Sequence, residues 1–197
     1  MRKASDLPLY YNAVDILERN LAERADKIAL YSPERVMTFR QVASEANQVG
    51  NALKRLGIRI GDFVGILSLD CSEWVTSFFG ALKIGAIAVG LNTLLTPQEY
   101  VYILRDCRAR ALIVHESLLA TIEIARAEQP FLERVVVIGA PDRSGDLAYR
   151  DWIYGEATEL EAAPTHRDDL GTLNYSSGTT GDPKGIPHAH KDLPLSA

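Results

Sequence analysis

The chain has 197 residues, 47% of them hydrophobic and 24% charged, with a net charge of −5 at pH 7. Such a chain can bury a sizeable core, and its mild acidity without a basic stripe argues against binding nucleic acid or an anionic membrane. Its two cysteines, Cys71 and Cys107, form no CxxC pair, so neither a zinc site nor a redox site is expected. No run is long enough to span a membrane, the first residues lack the apolar stretch of a signal peptide, and the expected compartment is the cytoplasm.

Taken in chain order, Asn12 is placed to cap a helix over 13–24, with Val14, Leu17 and Leu21 on one face. A short hairpin is predicted for 28–31 and 35–38 around Ser32-Pro33-Glu34. Thr38 and Gln41 form a capping box for a helix through Leu56, which Gly57 stops. Phe63 to Leu69 reads as an apolar strand. Ser72 is the expected cap of the next helix, which ends at Gly85, and Ile87 to Gly90 is another strand. Thr96-Pro97-Gln98-Glu99 gives the strongest helix start, combining an N-cap, a proline at the first helical position and a glutamate three residues on. A strand over 111–114, a helix over 117–127 and a strand over 135–138 continue the alternation.

Apolar strands separated by amphipathic helices imply an α/β fold: a layered, largely parallel sheet with flanking helices. The expected organisation is an α/β subdomain over 1–139, a surface connection with one short helix over 140–168, and a strand with a loop over 169–197. The connection is rich in Pro, Gly, Asp and Glu, with an apolar cluster near Trp152-Ile153. The strand, Gly171 to Tyr175, leads straight into the loop.

That loop holds three glycines, four hydroxyl side chains and one lysine between Ser176 and Gly185. Glycine allows close backbone approach and positive φ, so that successive N–H groups can converge on one anion. Ser176, Ser177, Thr179 and Thr180 add reorientable donors, and Lys184 adds positive charge, which suits a triphosphate. Composition alone would equally describe a solvated turn. A Walker A loop is excluded, because Pro183 precedes Lys184 and Gly185 follows it. A flavodoxin-like domain would fit the alternation but not the loop.

The string Tyr175-Ser-Ser-Gly-Thr-Thr-Gly-Asp-Pro-Lys-Gly185, followed by His190, resembles the signature loop of the adenylate-forming superfamily, which includes acyl- and aryl-CoA synthetases, luciferases and peptide-synthetase adenylation domains. Thr38-Phe39, Gly61-Asp62-Phe63-Val64, Trp74, the segment 80–86 and Asn92 to Thr96 resemble the same N-terminal region. Asn92 to Tyr102 looks most like the benzoate-type aryl-CoA ligases.

The resemblance implies a two-step reaction. A carboxylate attacks the α-phosphorus of MgATP, pyrophosphate leaves, and a thiol, usually that of coenzyme A, takes the acyl group from the adenylate. It places the ATP phosphates on Ser176, Ser177, Gly178, Thr179, Thr180, Gly181 and Lys184, with His190 in support, and it assigns neither a catalytic residue nor a metal ligand within the chain. The expected substrate is a small carboxylic acid, an aromatic one first. Family members run well beyond this length, so the chain is expected to need the missing C-terminal part or a complementing chain to complete the reaction, and exposed apolar surface would favour a homo-oligomer. The competing expectation is a non-catalytic nucleotide-binding or structural fragment. Trp74, Phe78 and Phe79 read as core, and His115, His166 and His188 as residues without a site role.

Overall fold

The computed structural model describes residues 6–176 and 182–195. In chain order it contains α1 (Asp15–Glu18), α2 (Leu21–Arg24), β1 (Ile28–Tyr31), β2 (Val36–Thr38), α3 (Phe39–Arg55), β3 (Phe63–Leu67), α4 (Ser72–Lys83), β4 (Ile87–Gly90) and α5 (Pro97–Asp106). There follow β5 (Ala111–His115), α6 (Glu123–Glu128), β6 (Arg134–Ile138), β7 (Leu147–Ala148), α7 (Tyr149–Ile153), β8 (Leu170–Ser176) and β9 (Lys184–Ala189). Among the described residues the strands form a two-stranded β1–β2 hairpin and a seven-stranded sheet in the order β7-β6-β5-β3-β4-β8-β9. All neighbours in the larger sheet are parallel except β8 and β9.

Strand alternation explains why both faces must be covered. On one face Val64, Ile66, Ala88, Ala111, Ile113, Val136 and Ile138 pack against α3, α4 and α7. On the other, Leu67, Val89, Leu112, Val114 and Val137 pack against α5 and α6. The result is the predicted α/β fold, a mostly parallel sheet between two helical layers.

Both capping boxes form. Thr38 accepts from the Gln41 N–H while Gln41 Oε1 accepts from the Thr38 N–H, and Thr96 and Glu99 do the same at α5. Gly57 and Gly85 close α3 and α4 at φ +87° and +74°, a region open to glycine and costly for side chains.

Three helix expectations are corrected. The helix over 13–24 is broken into α1 and α2, because the Asn20 side chain donates to the Ile16 carbonyl at 2.9 Å, the acceptor its own N–H would use in a continuous helix. Cys71, not Ser72, is the N-cap of α4. The Ser72 hydroxyl instead donates to Glu73 at 2.8 Å and accepts from Arg35 Nε at 2.6 Å. The segment 116–122 forms tight 3₁₀ turns, so only Glu123–Glu128 of the expected helix is α-helical.

The segment 140–168 carries α7, whose Tyr149, Trp152 and Ile153 are buried in the core. Around it lies a buried polar cluster. Arg35 forms a bidentate pair with Glu45 at 2.6 and 2.7 Å, Thr76 joins Glu45 at 3.1 Å and the Tyr149 hydroxyl at 2.7 Å, and Arg150 pairs with Glu73. These contacts tie β1–β2, α3, α4 and α7 together, and each buried charge has an opposite partner, the condition on which such burial is tolerated.

Candidate functional site: the hairpin mouth at the sheet's C-terminal edge

β8 runs parallel to β4 and then returns as antiparallel β9, with Ser176 paired to Lys184, Tyr175 to Gly185 and Leu170 to Ala189. The signature loop is therefore the connection of a β-hairpin, and its two ends are a cross-strand pair. The sequence reading ended the ordered part at the loop and missed the return strand, because 184–189 contains Pro187 and only a few apolar residues. An edge strand tolerates both. The burial pattern of β9 is that of an edge: Lys184 to Pro187 are exposed and His188 and Ala189 half-buried.

The hairpin mouth stands at the carboxyl end of the parallel strands. β4 leaves its carboxyl end through 91–96 to α5 and then β5 on the far side of β3, whereas β8 turns outward to β9. Neighbouring strands whose connections diverge open a crevice, the usual ligand position in open α/β sheets. Gly90, at the end of β4, lies beside Trp74 and Asn174. A Cβ there would lie 3.5 Å from the Trp74 ring and 3.9 Å from the Asn174 side-chain oxygen.

Of the residues that the resemblance assigns to the phosphates, Ser176 and Lys184 are brought together. The Ser176 hydroxyl lies 3.5 Å from the Lys184 carbonyl, and among the described residues no salt bridge engages the exposed Lys184. Ser177, Gly178, Thr179, Thr180 and Gly181 lie outside the described residues. An exposed cation beside a glycine- and hydroxyl-rich sequence is suited to an incoming polyanion.

His190 sits at the opposite end of the hairpin, just past the Leu170–Ala189 pair and about 17–20 Å along the strand from the mouth. It is fully buried, and its Nδ1 accepts from the Ala13 N–H at 3.0 Å, which puts the ring proton on Nε2. Burial pushes its pKa down to about 4, against a smaller opposing effect from Asp169. It thus bolts the N-terminal segment to the hairpin base, at the end away from the Ser176–Lys184 pair. His115 caps a 3₁₀ turn through Ser117, and His166 accepts from the Asp168 N–H at 3.2 Å.

Two further residues flank the mouth: Tyr175, which opens the signature string, and Asp106, which had no signal in the sequence. The Tyr175 hydroxyl donates to Asp106 Oδ2 at 2.6 Å, joining β8 to the last residue of α5. Burial first, and the neighbouring Asp106 carboxylate next, raise the Tyr175 pKa, so the phenol stays protonated. An open groove of about 730 Å³, lined by Lys54, Ile58, Ile60, Ile84, Glu161 and Pro164, lies at the other edge of the sheet, before β3 and β4. Its lining contains none of the residues that the resemblance assigns to the phosphates. Among the described residues no group of three or more His, Cys, Asp or Glu side chains could hold a metal, so no magnesium ligand is assigned.

The structure is an α/β domain whose mostly parallel sheet carries the β8–β9 hairpin at its carboxyl edge, and residues 17–196 match the model of the AMP-binding enzyme family. The chain belongs to that family. It is 67% identical to the anthranilate CoA ligase AuaEII, whose structure is known in complex with anthranoyl-AMP. The two superpose with a TM-score of 0.96 over 99% of this chain and 38% of that one. A benzoate CoA ligase from Burkholderia xenovorans LB400 superposes with a TM-score of 0.84 at 30% identity, over 95% of this chain and 36% of its own. The 4-hydroxybenzoate–CoA/benzoate–CoA ligase of Rhodopseudomonas palustris is 37% identical over 186 residues, 92% of this chain and 34% of its own length. The chain therefore spans about a third of the length of these relatives.

Proposed function

We propose that this chain supplies the ATP-phosphate grip of an aryl-CoA ligase, in which an aromatic acid, 2-aminobenzoate first, is converted to its adenylate and then to its coenzyme A thioester. The observation that carries the reading is the hairpin: it sets Ser176 opposite Lys184 at the carboxyl edge of the sheet, in a chain that is 67% identical, over 99% of its length, to the anthranilate CoA ligase. In this role Ser176 and Lys184, with Ser177, Gly178, Thr179, Thr180 and Gly181 between them, hold the β- and γ-phosphates while the acid carboxylate attacks the α-phosphorus. The chain's part is positioning and electrostatic: Lys184 and the loop donors meet the charge that builds on pyrophosphate as it leaves. Magnesium, when bound to the triphosphate, neutralises charge on its oxygens. The described residues offer it no side-chain cage, and none of them is given that task. The cytoplasm is the proposed compartment, consistent with the free thiols Cys71 and Cys107.

The test is acid-dependent ATP–pyrophosphate exchange by a hybrid in which this chain replaces the matching third of the anthranilate CoA ligase. The hybrid is expected to exchange with 2-aminobenzoate, and Lys184→Ala to lower that exchange by at least about tenfold. A folded hybrid without exchange would refute the phosphate grip. A parallel hybrid with the Burkholderia benzoate ligase is expected to work less well, and equal or better exchange there would remove 2-aminobenzoate from first place.

A further inference from the structure

Helix α5 is the most firmly seated element beside the hairpin mouth. Its start is locked by the Thr96–Glu99 capping box, and Tyr100, Ile103 and Leu104 are buried to 1% exposure or less. The Tyr100 hydroxyl donates to the Asn92 carbonyl at 2.7 Å, which also ties the connection leaving β4. The last residue of this helix, Asp106, accepts the Tyr175 hydroxyl at 2.6 Å.

Tyr175 is the last residue before the Ser176–Lys184 pair, and its own cross-strand partner is Gly185. Its ring lies over that glycine. A Cβ at Gly185 would come 3.5 Å from Tyr175 Cε1 and 3.2 Å from Leu173 Cδ1. The ring therefore braces the strand that carries Lys184, and the hydroxyl braces the ring against α5.

We propose that Asp106 and Tyr175 are positioning residues for the phosphate grip: the Asp106–Tyr175 hydrogen bond holds Ser176 and Lys184 at the separation and direction a triphosphate requires. The inference rests on the reading of the hairpin as that grip. Neither side chain is given a contact with substrate. Their effect passes through the backbone of Tyr175 and Gly185 to the neighbouring ends of both strands, where small displacements weaken multi-point recognition of phosphate.

The experiment is calorimetric titration of MgATP into the 197-residue chain, together with thermal melts recorded with and without ATP. Tyr175→Phe retains the ring over Gly185 and removes only the hydroxyl. It is expected to weaken ATP about three- to tenfold, the scale of one hydrogen bond to a charged acceptor. Asp106→Ala should cost the same, the double variant no more than either single one, and Asp106→Asn, which keeps an acceptor oxygen, should restore most of the affinity. A purely structural contact would lower the melting midpoint without ATP. Here that midpoint should stay within about 2 °C, while the rise produced by ATP shrinks. Unchanged ATP affinity in both single variants, or losses that simply add in the double variant, overturns the proposal while leaving the phosphate grip intact. A wild-type chain that binds no ATP overturns the grip and this inference together.

Discussion

The block β3–β4–β5–β6 and the hairpin β8–β9 belong to one sheet but are built on opposite terms. In the block, strands run parallel and lie under helices on both faces. Val64, Ile66, Leu67, Ala111, Leu112, Ile113, Val114, Val136 and Val137 are all fully buried. In the hairpin, β8 is buried only at Gly171, Thr172 and Leu173, with Leu170 and Tyr175 half-buried against the core, and four of the six residues of β9 are exposed. Packing energy therefore resides in the block, while the hairpin displays polar groups that packing would otherwise consume. Changes in the block should act through stability and changes at the hairpin mouth through ligand binding, and each prediction below strains that division.

The largest effect is expected in the block. Leu112→Ala removes a fully buried side chain between β3, α5 and the β5 backbone, and about 2–5 kcal/mol of stability should go with it. Chemical denaturation is the check. A loss below about 1 kcal/mol would mean that the face covered by α5 is looser than its burial implies. Lys184→Ala should do the reverse. The side chain is exposed, so stability should change by less than about 0.5 kcal/mol. Its loss should nonetheless lower ATP affinity by at least about tenfold, the weight of one charged contact to phosphate. A destabilised variant with unchanged ATP binding would invert the comparison.

How much of this was legible in the sequence follows the same division. The helix starts at Thr38 and Thr96 and the stops at Gly57 and Gly85 could be read because each is a local event, with the residue carrying its own hydrogen bond or φ requirement. The parallel strands could be read because burial on both faces leaves uninterrupted apolar runs. The break in 13–24 could not, because it depends on one Asn20 side-chain bond competing with the backbone. The return strand β9 could not, because its pairing partner rather than its composition makes it a strand. The loop motif marked the candidate site, but the Asp106–Tyr175 contact joins positions 69 residues apart and has no sequence signature. The core role of Tyr149, Trp152 and Ile153 was hidden by the polar residues around them.

His190 blurs the division, because it bolts the hairpin base to the N-terminal segment. Its folded pKa, about 4, lies below the ordinary value of 6.5, so the fold holds the neutral ring and the unfolded chain takes up the proton first. The stability it contributes is complete above pH 6.5, falls as the pH drops from 6.5 towards 4, and changes no further below that. The total should be on the order of 2–3 kcal/mol. Denaturation at a series of pH values, repeated with His190→Gln, isolates it: the variant's slope over that window should be flatter. Equal slopes would show that the ring is not protected from protonation by the fold.

The smallest effect is expected at Thr96, where the block meets the crevice. Thr96→Ala removes the side-chain acceptor of the Glu99 N–H, and the Glu99 carboxylate loses one of its two partners while keeping the Thr96 backbone N–H at 2.7 Å. An N-cap of this type contributes about 1 kcal/mol, and α5 is otherwise held by Tyr100, Ile103 and Leu104, so its axis should stay in place. Stability should therefore fall by about that amount. ATP affinity should hold, because the end of α5 that supports Tyr175 lies a full helix length away from the cap. If ATP affinity falls as well, the start of α5 is coupled to its end. The block then sets the hairpin mouth along the whole helix, and the separation between the part that packs and the part that binds is narrower than burial alone suggests.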